Sequence, residues 1–261
     1  MGAQFTAASS QVLANTSSVI TGFPVVLACW TFIIDTAADY ASASVASTLN
    51  ITNFINLSVP TLGPAFAVVC NDGSGAQTIT SNILPVAGRW YFMMTRAVSA
   101  TSKWIIVYDP ATGRADQVQN TVSKAPTLTS CNVGIGGQPG SALASASNNI
   151  IAEFFYMDSD FNGTATGTAL AAEFVRSLAL EGPFARTEMQ ANIVEYRSLR
   201  LGVDTARQVG DSVSTGLAYS RIGRTTWANP FTAANVPIDA PHPPLSTNYV
   251  RPGQIRPIVV I

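Results

Sequence analysis

Asn132-Val-Gly-Ile-Gly-Gly137, a spacer of small residues, and then Asn149-Ile-Ile-Ala-Glu-Phe-Phe-Tyr-Met-Asp-Ser159 form the stretch that decides the fold. Val133 and Ile135 occupy alternate positions ahead of the turn-forming pair Gly136 and Gly137. Ile150 to Met157 follows with eight residues rich in β-branched and aromatic side chains. Such residues fit the pleated surface of a buried sheet, so the stretch reads as two core strands and a loop, the pair closing one sheet.

Working outward, the same period-two signal recurs on both sides. Phe23 to Ile34 is a long strand with Ala28, Trp30, Phe32 and Ile34 on one face and Leu27, Cys29 and Ile33 on the other. Both faces are apolar, as in an inner strand of a two-sheet sandwich. Asn53 to Val59 presents Ile55, Leu57 and Val59 on one side, and Pro64 to Cys70 presents Phe66, Val68 and Cys70. Asn71-Asp72-Gly73-Ser74-Gly75 is a reverse turn, from which Gln77 to Leu84 returns antiparallel. Arg89 to Arg96 places Trp90, Phe92 and Met94 on one face, turns through Ser99 to Ser102, and pairs with Trp104 to Asp109; Asp109 to Arg114 makes the next hairpin. Gln4 to Ala14 opens the chain with one or two strands, and Asp35 to Ser47, rich in Ala and Ser, reads as a polar turn region. Turns at this spacing without a helical period are the pattern of a sandwich or jelly roll.

A helix is predicted late, with Thr168 as its cap, Leu170, Phe174 and Leu178 as its apolar stripe, and Gly182-Pro183 as its stop. A second helical period (Met189, Ile193, Tyr196, Leu199) runs from Thr187 to Leu199, with Ile193-Val194 leaving a strand open. Beyond Gly202 come a polar loop or hairpin at Val213 to Ile222 and then a proline-rich arm: seven of the fifteen prolines fall in the last 34 residues. Proline removes a donor and fixes φ, so the arm is neither a central strand nor a helix. Trp227, Phe231, Tyr249, Ile258 and Ile261 make it too apolar to stay solvated, and it needs a surface, its own domain's or a neighbour's. The expected division is a sandwich over 1–183 and an extension over 184–261.

The motifs resemble those of laminin-G-like, concanavalin A-like jelly-roll domains. The carriers are Ile135-Gly136-Gly137 followed by Ile151-Ala152-Glu153 and aromatics, the opening Phe5 to Leu13, the strand containing Trp30, and Trp90-Tyr91-Phe92, where relatives usually have His at the place of Phe92. The resemblance covers about residues 4–183 and implies an all-β sandwich with one or two short helices, in which Trp30 is core. Such domains bind sugars, cleave sugars or serve as scaffold. The ending, about 239–254, resembles the tails of laminin-G-like proteins encoded among phage head and tail genes.

Composition narrows the classes. Charged residues are 11% of the chain, the formal net charge is −1, and Lys103 and Lys124 are the two lysines, so neither nucleic acid nor an anionic membrane is courted by a basic patch. Met1 to Ala14 has no basic region followed by an apolar run, and the chain is expected to fold where it is made. Cys29, Cys70 and Cys131 lie in strand-like stretches and read as buried reduced thiols. A glycosidase on this sandwich needs two carboxylates on one face of a strand, and Glu153 is the only acid inside a strong strand. His242, the single histidine, has no nucleophile pattern or second His beside it; Asp158 and Asp160 in a polar turn read as solvated acids, a calcium site being the minor alternative. No catalytic residue, metal or cofactor is expected. Tyr40, placed in a polar loop, is the best candidate for stacking on a glycan.

The resulting expectation is a non-catalytic phage virion structural protein, assembled in host cytoplasm. Its first form is a capsid decoration, or cement, protein on the major capsid protein, as a homo-oligomer with a trimer favoured. Its alternatives are a glycan- or receptor-binding protein of a head or tail fibre, and a bacterial lectin.

Overall fold

The computed structural model of the chain describes residues 3–4, 12–15, 20–37, 40–47, 52–59, 65–124, 126–129, 131–139, 147–161, 168–185, 192–197, 199, 217–218, 227–228 and 242–250. In chain order its strands are β1 (Ala3–Gln4), β2 (Leu13–Asn15), β3 (Val25–Phe32), β4 (Tyr40–Ser47), β5 (Asn53–Val59), β6 (Ala67–Asp72), β7 (Ala76–Thr80), β8 (Trp90–Ser99), β9 (Ser102–Asp109), β10 (Arg114–Asn120), β11 (Cys131–Ile135), β12 (Ile150–Met157), β13 (Ile193–Arg197), β14 (Leu217–Ala218) and β15 (Trp227–Ala228). Helix α1 (Ala172–Glu181) and a 3₁₀ turn, Pro183–Ala185, lie between β12 and β13.

Two antiparallel sheets stack face to face. Sheet I runs β1-β12-β3-β8-β9-β10, with β13 also paired to β12; sheet II runs β14-β15-β2-β11-β4-β5-β6-β7. Their facing sides fill one core: Val25, Leu27, Cys29, Tyr91, Met93, Ile105 and Val107 from sheet I meet Val45, Ile55, Leu57, Phe66, Val68 and Val133 from sheet II. The opposite side of sheet I is equally apolar because a second layer covers it. Val26, Ala28, Trp30, Phe92, Met94, Ile106 and Phe155 pack there with Val175, Leu178 and Ala179 of α1 and with Phe184, Tyr196 and Val250. The alternation expected for β3 and β8 therefore holds residue by residue, and Trp30 is core, its Nε1 donating to the Ala179 carbonyl at 3.1 Å.

Four local expectations are corrected. The two strands of the deciding stretch do not pair: β11 joins β2 and β4 in sheet II, whereas β12 joins β1, β3 and β13 in sheet I. The Ala/Ser-rich turn region contains β4, buried along its whole length and paired on both sides. Its small side chains admit close neighbours: a Cβ on Gly134 of β11 would sit 2.5 Å from the Gly137 carbonyl oxygen and 2.9 Å from Ser44 Oγ. The α1 N-cap is Ala171, with no side-chain cap bond, and not Thr168, whose carbonyl instead accepts from Arg96. The second helical period is β13, because the edge of β12 offers unpaired backbone that Ile193 and Val194 suit better than a free helix.

Gly182 ends α1 as expected, in the left-handed region at φ 83, its N–H donating to the Leu178 carbonyl. The Tyr249 ring packs on it, 2.7 Å from where a Cβ would stand. The backbone there is bonded to the helix end: Ser246 N–H donates to Leu180 O at 2.8 Å and Val250 N–H to Glu181 O at 2.9 Å. Residues 242–250 of the arm thus lie on their own domain.

Candidate binding face

Sheet II has a covered side and a polar side, and the strand registers define the polar one. With Ile55, Leu57 and Val59 committed to the inter-sheet core, Phe54, Asn56 and Ser58 point the other way. Three rows cross the strands from β11 or β4 to β7: Asn132, Ala46, Phe54, Asn71, Ala76; Gly134, Ser44, Asn56, Val69, Thr78; and Ala41, Ser58, Ala67, Thr80. Asn71 and Val69 are half-buried and Ala76, Thr78 and Thr80 exposed, while Ser44, Asn56, Ser58 and Asn132 are buried.

The chemistry of this face is that of a hydrogen-bonding floor with one ring on it. Phe54 is half-buried and belongs to neither apolar cluster. Around it, Asn56 Oδ1, Asn132 Oδ1 and Ser58 Oγ are buried without a hydrogen-bond partner. An unpartnered buried acceptor costs about 1–3 kcal/mol, which is tolerated at sites that meet a ligand. Residues 137–139 lie over the β11 side of the middle row: Ser44 Oγ donates to the Gly137 carbonyl at 2.6 Å, and Asn56 Nδ2 to Gln138 Oε1 at 3.4 Å.

Tyr40 is not part of this face. It begins β4, is 5% exposed, and donates its hydroxyl to Asp35 Oδ1 at 2.8 Å, so its ring closes one end of the sandwich instead of standing in a loop. Burial, then the Asp35 carboxylate, pushes the Tyr40 phenol up to about 12. For Asp35 itself, desolvation opposes ionisation, but bonds from Ala37 N–H, Tyr40 and Asn148 outweigh it and hold the carboxyl below its usual value. The signal that finds Phe54 is parity: it is the aromatic residue out of step with the Ile55, Leu57, Val59 stripe.

Glu153, Asp160 and Tyr249 are engaged within the fold. Glu153 sits in a β-bulge where the register with β3 slips between Ala152 and Phe155; its φ is 51, it is 1% exposed, and it accepts a hydrogen bond from Tyr196 Oη of β13. Asp160 is taken by Arg96, with Nε to Oδ1 at 2.6 Å and Nη2 to Oδ2 at 2.7 Å, and is half of a buried pair, whereas Asp158 is exposed. Among the described residues no group of three His, Cys, Asp or Glu side chains is placed to hold a metal ion. Trp227 pairs its backbone with Asn15 at the β2 edge of sheet II, His242 is exposed, and Tyr249 lies against Gly182. Phe231, Ile258 and Ile261 lie outside the described residues.

No family model and no curated protein matches the chain. Solved structures do. The enzymatically active domain of tailspike protein 2 from bacteriophage CBA120 matches at TM-score 0.56 and 13% identity, over 76% of this chain and 29% of that one. The full-length tailspike protein 2 of an Escherichia coli O157:H7 bacteriophage matches at 0.54 and 16%, over 76% and 26%. The two-sheet jelly-roll fold is shared with these tailspike chains. Domains LG4-5 of the mouse laminin α1 chain are a further match, at 0.44 and 17%, over 65% and 44%. The jelly roll spans less than a third of the tailspike chains it resembles.

Proposed function

We propose that this jelly roll is a non-catalytic glycan-binding module of a phage virion, and that it engages saccharide through the polar side of sheet II around Phe54. The observation that carries the reading is the half-buried Phe54 ring set among Asn56, Asn71 and Asn132 on an otherwise small-residue face. Sugars are bound by an aromatic ring under their C–H face and amides at their hydroxyls, and this face offers both. The shared fold with phage tailspikes supports a virion setting. Glu153 is buried under Tyr196, a position suited to holding β13 and not to reaching a glycosidic bond.

A capsid decoration role on the major capsid protein, with a homo-oligomer built through the proline-rich arm, is the second reading. Its support is the apolar character of that arm; against it, residues 242–250 are bonded to the chain's own α1. An array of immobilised bacterial polysaccharides and oligosaccharides separates the two. Binding to one glycan class, weakened about tenfold in Phe54→Ala at unchanged melting temperature, supports the module. A silent array with co-purification on intact particles supports decoration.

A further inference from the structure

We infer that the ligand of the sheet II face is an uncharged saccharide, bound without help from ionic attraction; this rests on the glycan-binding reading above. Residues 40–71 and 125–152 contain none of the chain's 14 basic and 15 acidic residues. Those two segments supply β4, β5, β11, nearly all of β6 and their connections, and β7 adds Ala76 to Thr80, again uncharged. The three rows around Phe54 are therefore neutral from one edge to the other.

Among the described residues, several charges are paired away from these rows. Arg96 and Asp160 hold each other beneath α1, and Asp116 accepts from Ser81 and Asn82 on the seam between β7 and β10. Asp72, which follows the neutral part of β6, accepts from Ser74 Oγ at 2.7 Å and lies 4.0 Å from Lys124 Nζ. A uronic, sialic or sulfated sugar docking on Phe54 would surrender the hydration of its anion with no guanidinium or ammonium in the described rows to replace it.

The polarity of the unpartnered groups points the same way. Asn56 Oδ1 and Asn132 Oδ1 are acceptors, and Ser58 Oγ both donates and accepts. They are matched by ligand donors, the hydroxyls or acetamido N–H of a neutral sugar, and are opposed by a carboxylate or sulfate oxygen.

The test uses the full chain and six immobilised polymers: dextran, galactan and mannan against polygalacturonate, polysialic acid and heparin, at about 50 and about 500 mM NaCl, where screening differs several-fold. The expected result is binding to one or more neutral polymers that changes less than about twofold with salt, falls about tenfold in Phe54→Ala and is restored in Phe54→Tyr, which keeps the ring. Preference for an anionic polymer that is lost in Phe54→Ala and at high salt overturns this inference and leaves the glycan-binding face standing. Silence on all six polymers by the folded protein contradicts both.

Discussion

The two sheets use the same alternation on their facing sides and opposite solutions on their other sides. Sheet I buries Trp30, Phe92, Met94 and Phe155 under α1, Phe184 and Val250, and Arg96, a buried cation of that sheet, has its carboxylate. Sheet II leaves Phe54 half-buried amid amides and hydroxyls, several of them with unfilled acceptors. The outer side of sheet I is covered by large apolar side chains, whereas that of sheet II is built from small residues, amides and hydroxyls around a single half-exposed Phe54 ring among the described residues. Sheet I has unpartnered buried atoms of its own, the indole N–H groups of Trp90 and Trp104, Thr95 Oγ1 and Glu195 Oε2, the indoles being carried along by the burial of large rings.

The largest test of this contrast is Arg96→Met, which leaves Asp160 buried without its guanidinium. A loss of about 3–5 kcal/mol in urea unfolding is expected; a loss under about 1 kcal/mol would mean the covered layer does not depend on its ion pair. Next, Gly182→Ala puts a methyl where the Tyr249 ring lies and strains φ 83. It should cost about 1–3 kcal/mol and speed proteolysis between 242 and 250; an unchanged cleavage rate would deny that this segment is seated on α1.

A smaller effect is expected from acid. Asp35 and Asp116 both have carboxyls held below the usual aspartate value because hydrogen bonds outweigh their desolvation. Their contribution is complete above an unfolded-state pKa of about 3.9 and is lost as pH falls through the lowered folded values, so the urea midpoint should hold down to about pH 4 and drop below it. A decline already under way at pH 6 would assign acid sensitivity to other groups. Smallest of all is Ser58→Ala, whose hydroxyl has no partner in the fold: stability should stay within about 0.5 kcal/mol or rise, whereas a loss above about 1 kcal/mol would show that the hydroxyl is already satisfied.

Much of the sandwich is legible in the sequence because β3, β5, β6 and β8 advertise their faces through large alternating side chains. β4 does not. Its Tyr-Ala-Ser-Ala-Ser-Val-Ala-Ser run has weak strand propensity and owes its state to β5 and β11 on either side, a tertiary effect that composition cannot report. Tyr40 looks like a loop aromatic for the same reason, until its place at the start of β4 is known. β13 is misread for the opposite reason: Met189, Ile193 and Tyr196 satisfy a helical period, but the edge of β12, with its bulge at Tyr156 and Met157, supplies backbone partners that the period ignores. The binding face was written in the parity of Phe54, Asn56 and Ser58, and needed the register of four neighbouring strands to assemble into rows.

The contrast between the two outer faces is tested most directly by mapping backbone amide chemical shifts while titrating the tightest-binding oligosaccharide. Perturbations are expected to centre on 53–58, 67–72, 76–80 and 131–139, with α1 and 103–109 undisturbed. Shifts concentrated on α1, β9 and β10, with Phe54 and its neighbours silent, would contradict it.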